Sequence, residues 1–298
     1  MTPAGLWPVL RAAIAGWWDD NVPRMGAALA YYTLFSLAPI LIVAIAVAGL
    51  AFGQEAVRGE IVGQIDGLVG HEGARAVQAM LEGAARPSSS IPATIIGIIT
   101  FFLGATGAFL ELQNDLDAIW RVKPKPSRSF LSALLKQRLI SFGLVLGFAF
   151  LLLTSLIISA ALAAVQTYLG NAFPGGTVLW EAINVVVSLA VITALFAMIY
   201  KVLPDVKLGW RDVWVGGLVT AGLFSIGKSL IGLYIGTSAF ASTYGAAASV
   251  IVVLVWVYYS AQIILLGAEF TREYVKRFGR RPPPEPWAGK TPTGGSAP

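Results

Sequence analysis

Residues Ile91–Leu110 carry no charged side chain, and the chain runs on directly into Glu111-Leu-Gln-Asn-Asp-Leu-Asp-Ala-Ile-Trp-Arg121. About twenty apolar residues suffice to carry a helix across the hydrocarbon core of a bilayer. At helical spacing, Gly97, Thr100, Gly104, Gly107, Ala108, Glu111, Asn114, Asp115 and Ala118 share one face. The small residues of its upper part let another backbone approach closely. The carboxylates and amide of its lower part would not be tolerated by lipid, so the face is expected to point into a bundle. The other helices then read as packing partners of this one.

Composition agrees. The chain is 56% hydrophobic and 12% charged, which is a membrane composition, and it contains no cysteine and a single histidine. That removes disulfides, thiolate metal sites, a cysteine nucleophile and the multi-histidine zinc sites. No cleavable signal is visible at the N-terminus. The expected fold is all-α: a six-transmembrane-helix bundle with an N-terminal interfacial amphipathic helix and a short helical outer loop between spans 1 and 2. Leu6, Leu10, Ile14, Trp17 and Trp18 place that amphipathic helix in residues 1–20, with its tryptophans at headgroup depth. The transmembrane domain is expected over 21–278, with spans at about 26–52, 91–120, 140–164, 178–200, 213–235 and 244–274. Pro39 is expected to kink the first span. Two short helices broken at Gly70-His71-Glu72-Gly73 are expected in the loop after it. Residues 279–298, rich in arginine and proline, are expected to form a disordered cytoplasmic tail.

Lysine and arginine set the orientation. They concentrate at the N-terminus (Arg11, Arg24), in 121–138, in 201–211 and in 272–290, while the loops after the third and fifth spans have none. By the positive-inside rule these basic segments and both termini are cytoplasmic, in a cytoplasmic (inner) membrane. The net charge of +5 is thus a topogenic signal, and no nucleic-acid partner is needed to explain it.

Two groups of side chains could carry chemistry. On the sixth span Tyr258, Gln262, Glu269, Arg272, Glu273 and Lys276 fall on one side. With Glu111, Asn114 and Asp115 they read either as an inward polar vestibule for a substrate head group or as an electrostatic clamp joining helix ends to basic loops. The second group is Lys228, on the face of the fifth span with Gly217, Ala221, Ser225 and Gly232, and so expected to face protein. It would pair with an outer-loop acid such as Asp66 or Glu72, hold a bound anionic group, or snorkel to the outer headgroups. His71 has no ligand-spaced partner. Glu111, Asp115 and Asp117 could hold magnesium in principle, but no metal site, catalytic residue or cofactor is assigned.

Three motifs, Ala28-Leu-Ala-Tyr-Tyr-Thr-Leu-Phe-Ser-Leu-Ala-Pro39, Gly104-Ala-Thr-Gly-Ala-Phe-Leu-Glu-Leu-Gln-Asn114 with Ile119-Trp120, and Tyr244-Gly-Ala with Trp256-Val-Tyr-Tyr-Ser-Ala-Gln-Ile and Gly267-Ala-Glu-Phe270, resemble the YihY/BrkB family over about residues 10–278. The resemblance implies a bacterial inner-membrane protein with six transmembrane helices. The family long carried a ribonuclease BN label. The expected function is non-enzymatic: binding or transport of an amphipathic anionic substrate such as a lipid or envelope precursor, with membrane lipids as partners. A scaffolding membrane protein is the alternative, and a membrane-associated ribonuclease a more distant one. Oligomeric state is left open.

Overall fold

A computed structural model describes residues 3–84, 107–123, 143, 176–237, 248–279 and 289–290. Among the described residues the structure is helical apart from connecting turns and one short strand pair. Helix α1 spans Pro3–Asp19 and α2 spans Val22–Phe52. The joint between them turns on Asn21, whose φ of 54° is a left-handed conformation that asparagine tolerates. Pro23 then suits the first turn of α2, because its ring fixes φ and no intrahelical bond is lost there. Helical geometry runs through position 39, so Pro39 does not end the helix. Gly53 closes α2 at φ 84°, donating its N–H to the Gly49 carbonyl at 2.9 Å.

Helix α3 spans Gln54–Ala84 without a break in its helical assignment, yet it cannot be straight. Arg58 and Glu82 pair at 3.6 Å, whereas a straight helix would set them roughly 36 Å apart. The segment therefore doubles back between them, a stretch that contains Gly70 and Gly73. It presents Val77 and Leu81 to Val253 and to the partly buried Leu34 and Leu37.

Helix α4 covers 107–119 and ends at Arg121 (φ 55°), whose N–H bonds the Ala118 carbonyl at 2.9 Å. Strand β1 (Val122–Lys123) follows, antiparallel to β2 (Gly289–Lys290), so a piece of the C-terminal tail lies against the end of α4. Helices α5 (Gly176–Val202), α6 (Trp210–Thr237) and α7 (Ala248–Phe278) are the remaining helices among the described residues. The expected third span at 140–164 and the first part of the second lie outside the described residues, apart from Gly143.

Among the described residues three helices are long and apolar enough to cross a membrane, through Val185–Val202, Trp210–Tyr234 and Val250–Phe278. Their outward sides carry Val185, Val186, Leu218, Ile226, Leu230 and Leu233, all exposed. A largely apolar exterior of this kind suits lipid and not water.

The hub of the described bundle is α7, which packs on α1, α2, α3 and α6. Its core joins Leu265 and Ala268 to Val22 and Leu29 of α2, Leu112, Leu116 and Ile119 of α4, and Phe196 and Tyr200 of α5. The α6–α7 contact is reciprocal: Thr271 covers Gly216, and Thr220 with Tyr200 covers Gly267, so a Cβ at either glycine would collide. These hydroxyls are satisfied internally. Thr220 donates to the Gly216 carbonyl at 2.8 Å, Thr271 to that of Gly267 at 2.7 Å, and Tyr200 to that of Ile264 at 2.7 Å.

Candidate functional site

At one end of the bundle the end of α1, the end of α4, the 203–209 connection and the last turns of α7 converge. Arg272 is the centre. Its Nη1 donates to Asp20 Oδ2 at 2.7 Å and to the Ile119 carbonyl at 2.6 Å, and its Nε donates to Glu273 Oε1 at 3.2 Å. The bond to Ile119 caps α4, supplying a cation where a helix leaves its carbonyls orphaned. Arg272 Nη2 lies 2.7 Å from Glu269 Oε2. That contact is an ion pair, and Glu269 also shares a side-chain hydrogen bond with Asp20. Glu269 is thus held at 0% exposure by the charge of Arg272, itself 4% exposed, and by its hydrogen bond with Asp20.

Around this pair, Asp20 also takes Arg121 Nη2 at 3.2 Å, and Lys276 meets Glu273 at 2.5 Å. Burial alone would raise the Asp20 carboxyl, but the hydrogen bond from Arg272, a second shared with Glu269, and the charges of Arg272 and Arg121 hold it below the ordinary carboxylate value. Asp117 Oδ1 accepts the Asp205 N–H at 2.8 Å, tying α4 to the connection between α5 and α6. Lys201 donates to the Leu208 carbonyl and stands over the Trp210 ring at 5.7 Å.

Helix α1 is built onto this network. Val9 and Ala13 are buried against Phe270, Tyr274 and Val275. A Cβ at Gly16 would sit 2.5 Å from Glu269 Oε2 and 2.8 Å from Arg272 Nη2. Next to it, Trp17 Nε1 donates to Gln262 Oε1 at 3.0 Å, and the Gln262 amide reaches back to the Val22 carbonyl at 3.5 Å.

These contacts correct the sequence reading in three places. First, the stripe through Gln262 and Glu269 is covered by α1 and paired, so it does not line an open vestibule, whereas Tyr258 is 37% exposed. Second, the α4 face is rotated from the expected one. Asp115 is buried and Glu111 half-buried, but Asn114 and Ala118 are exposed while Asp117 is buried. The apolar residues Leu112, Leu116 and Ile119 set that rotation, because their burial in the core outweighs the preference of the amide. Among the described residues no hydrogen bond or ion pair joins Glu111, Asn114 or Asp115 to Tyr258, Gln262 or Glu269. Third, Lys228 is exposed, with Ser225 and Gly232, and does not face protein. The C-terminal half of α6 meets α7 through Gly227, beside Tyr259 and Ile263, and Ile231 on the same side is buried. That seam is one residue away from the lysine.

Gly16 and Asp20 were not singled out from the sequence as site residues, while Trp17 was expected only at headgroup depth and Asp117 only as one of three carboxylates that could hold magnesium. The signal for Asp20 was present: an acid pair ending an amphipathic helix just before Asn21-Val-Pro. Nothing in the spacing marked Gly16, which matters only because α7 lies across it.

Comparison with known proteins agrees with this architecture. Residues 13–292 match the family described as Virulence factor BrkB. The chain is 30% identical over 256 residues to a UPF0761 membrane protein of Ralstonia nicotianae, covering 84% of this chain and 55% of that protein. To one of Azotobacter vinelandii it is 31% identical over 254 residues, covering 84% and 59%. To one of Psychrobacter it is 28% identical over 264 residues, covering 88% and 47%. The chain thus spans about half the length of the relatives it matches. No solved structure matches it. With apolar spans, a charged hub at their common end and a family match over most of its length, the chain belongs to the BrkB family of membrane proteins.

Proposed function

We propose that this is a multi-pass protein of the cytoplasmic membrane, with both termini cytoplasmic, that binds or moves an amphipathic anionic substrate such as a lipid or envelope precursor. The orientation is supported by Arg11, Arg24, Arg121, Lys207, Arg211, Lys276 and Arg277, all exposed and all on segments at or beside the end where α1, α4 and α7 meet. Binding is supported by a single observation, the exposed Lys228 within the apolar span Trp210–Tyr234. It stands about two and a half turns, or roughly 13 Å, before the end of α6. Among the described residues it has no ion pair, and the exposed Ser225 and Ser229 flank it. An ammonium at that depth is costly unless an anion or the headgroup layer receives it. Access is then lateral, from the lipid, and not through the bundle.

The scaffolding alternative also has an observation in its favour. The acidic stripe of α7 is consumed in docking α1 and capping α4, as a structural clamp would be.

The test is Lys228→Met, purified with its native lipids. The expected result is loss of co-purifying anionic lipid by about fivefold, which corresponds to roughly 1 kcal/mol for one headgroup cation. The melting temperature in detergent should stay level or rise. Unchanged lipid together with unchanged cellular complementation would overturn binding at this site and leave the scaffold reading in place.

A further inference from the structure

Helix α1 has two working faces, and only one is used inside the protein. Gly5, Val9, Ala13, Gly16 and Asp20 turn toward α7. On the opposite side, within about 60° of arc, lie Trp7 (68% exposed), Ile14 (53%), Trp18 (71%) and the exposed Arg11. The helix is held against Gln262 to Phe278, the closing turns of a transmembrane helix. Its free face is therefore fixed at the depth where a span leaves the hydrocarbon. Tryptophan and isoleucine partition into that layer, and a cation among them selects negative head groups.

We propose that the outward face of α1 binds the anionic surface of the adjoining lipid leaflet, with Trp7, Ile14 and Trp18 inserted and Arg11 contacting a lipid phosphate. The sequence placed Leu6, Leu10 and Trp17 in that layer too. The structure instead leaves them partly buried beside α7 and its neighbours and gives the lipid face to Trp7 and Arg11. The consequence is mechanical. The same rigid helix that meets the lipid carries Gly16 against Glu269 and Asp20 against Arg272, so lipid engagement and the charged hub share one element.

Because the chain has no cysteine, single cysteines can carry spin labels in the full-length protein. Ile14→Cys and the exposed Asp19→Cys would be reconstituted in phosphatidylcholine nanodiscs with and without phosphatidylglycerol. The expected result is a severalfold higher ratio of oxygen to nickel-chelate accessibility at position 14 than at 19. That ratio should rise further with phosphatidylglycerol, and Arg11→Gln should abolish the rise while Arg11→Lys retains it. Equal ratios at 14 and 19 would overturn the proposal. So would a label at 14 shielded from both reagents, which would mean a protein partner covers the face. A lipid-immersed label indifferent to phosphatidylglycerol would overturn the anionic assignment. None of these readings depends on Lys228.

Discussion

The C-terminal half of α7 and the C-terminal half of α6 carry polar side chains at the same kind of helical spacing, and they meet opposite fates. On α7, Glu269 is fully buried, Arg272 nearly so, and Gln262 is bonded from two sides. On α6, Lys228, Ser225, Ser229 and Gly232 all face outward. The difference lies in what is packed opposite. Helix α1 crosses α7 with Gly16 at the contact, close enough for a carboxylate and a guanidinium to be sealed in. The C-terminal half of α6 meets its neighbour at Gly227, and one residue of helix is a rotation of about 100°. That single step separates a buried lysine from an exposed one. Periodicity identifies a face; it does not identify the surface that will cover it.

The sharpest way to break this comparison is to remove each cation in turn. Arg272→Met leaves Glu269 buried with no counter-charge, leaves Asp20 with Arg121 as its one cation, and uncaps the Ile119 carbonyl. Breaking a buried pair from one side costs about 3–5 kcal/mol. The melting temperature in detergent should therefore fall further than for any other single substitution described here, while Lys228→Met should not lower it. If Arg272→Met melted no lower than Lys228→Met, the hub would not be structural. Adding Glu269→Leu to Arg272→Met should recover part of the loss, since the stranded charge then disappears.

How much of this was legible beforehand follows the same division. The apolar runs place α2, α5, α6 and α7 within a few residues, because twenty apolar positions have few alternatives in a chain this poor in charge. The neighbours Glu269, Arg272 and Glu273 were legible as a set, being three or four residues apart on one helix. Asp20 was not, since it lies 252 residues from Arg272 in the chain. Nor was the rotation of α4. There Asn114 and Asp117 compete for the inside, and Leu116 and Ile119, both fully buried, decide between them. Local spacing carries the first kind of information; the second exists only once helices cross.

A second, smaller test compares glycines. Gly16→Ala would put a methyl group against Glu269 and Arg272, whose ends cannot give way without losing their pairing. Overpacking of this kind costs about 1–3 kcal/mol, and α1 should loosen, read as faster proteolysis within residues 3–19 of the purified protein. Gly222, by contrast, has nothing within 4 Å of where its Cβ would be. Gly222→Ala should be neutral or gain up to about 1 kcal/mol from helix propensity. Similar behaviour of the two variants would mean that α1 is not docked as described.

The smallest expected effect is in acid, at Asp20. Its carboxyl is held below the ordinary value by Arg272, a hydrogen bond shared with Glu269, and Arg121, in spite of its burial. The unfolded chain has the ordinary value, about 3.9, so as pH falls the unfolded state binds the proton first and stability declines. The Asp20 contribution is therefore fully present above about pH 4 and is lost as pH drops through the folded-state value. Asp20→Asn cannot titrate. The measurement is the difference in melting temperature between the parent protein and Asp20→Asn, since carboxylates common to both largely cancel. That difference should be flat from neutral pH to about pH 5 and should narrow below about pH 4. Because Asp20 is partly exposed, salt should shrink it as well. A difference that widened in acid would mean that burial outweighs the two arginines at Asp20, and the joint between α1 and α7 would then rest on Gly16, Trp17 and the apolar face of α1 alone.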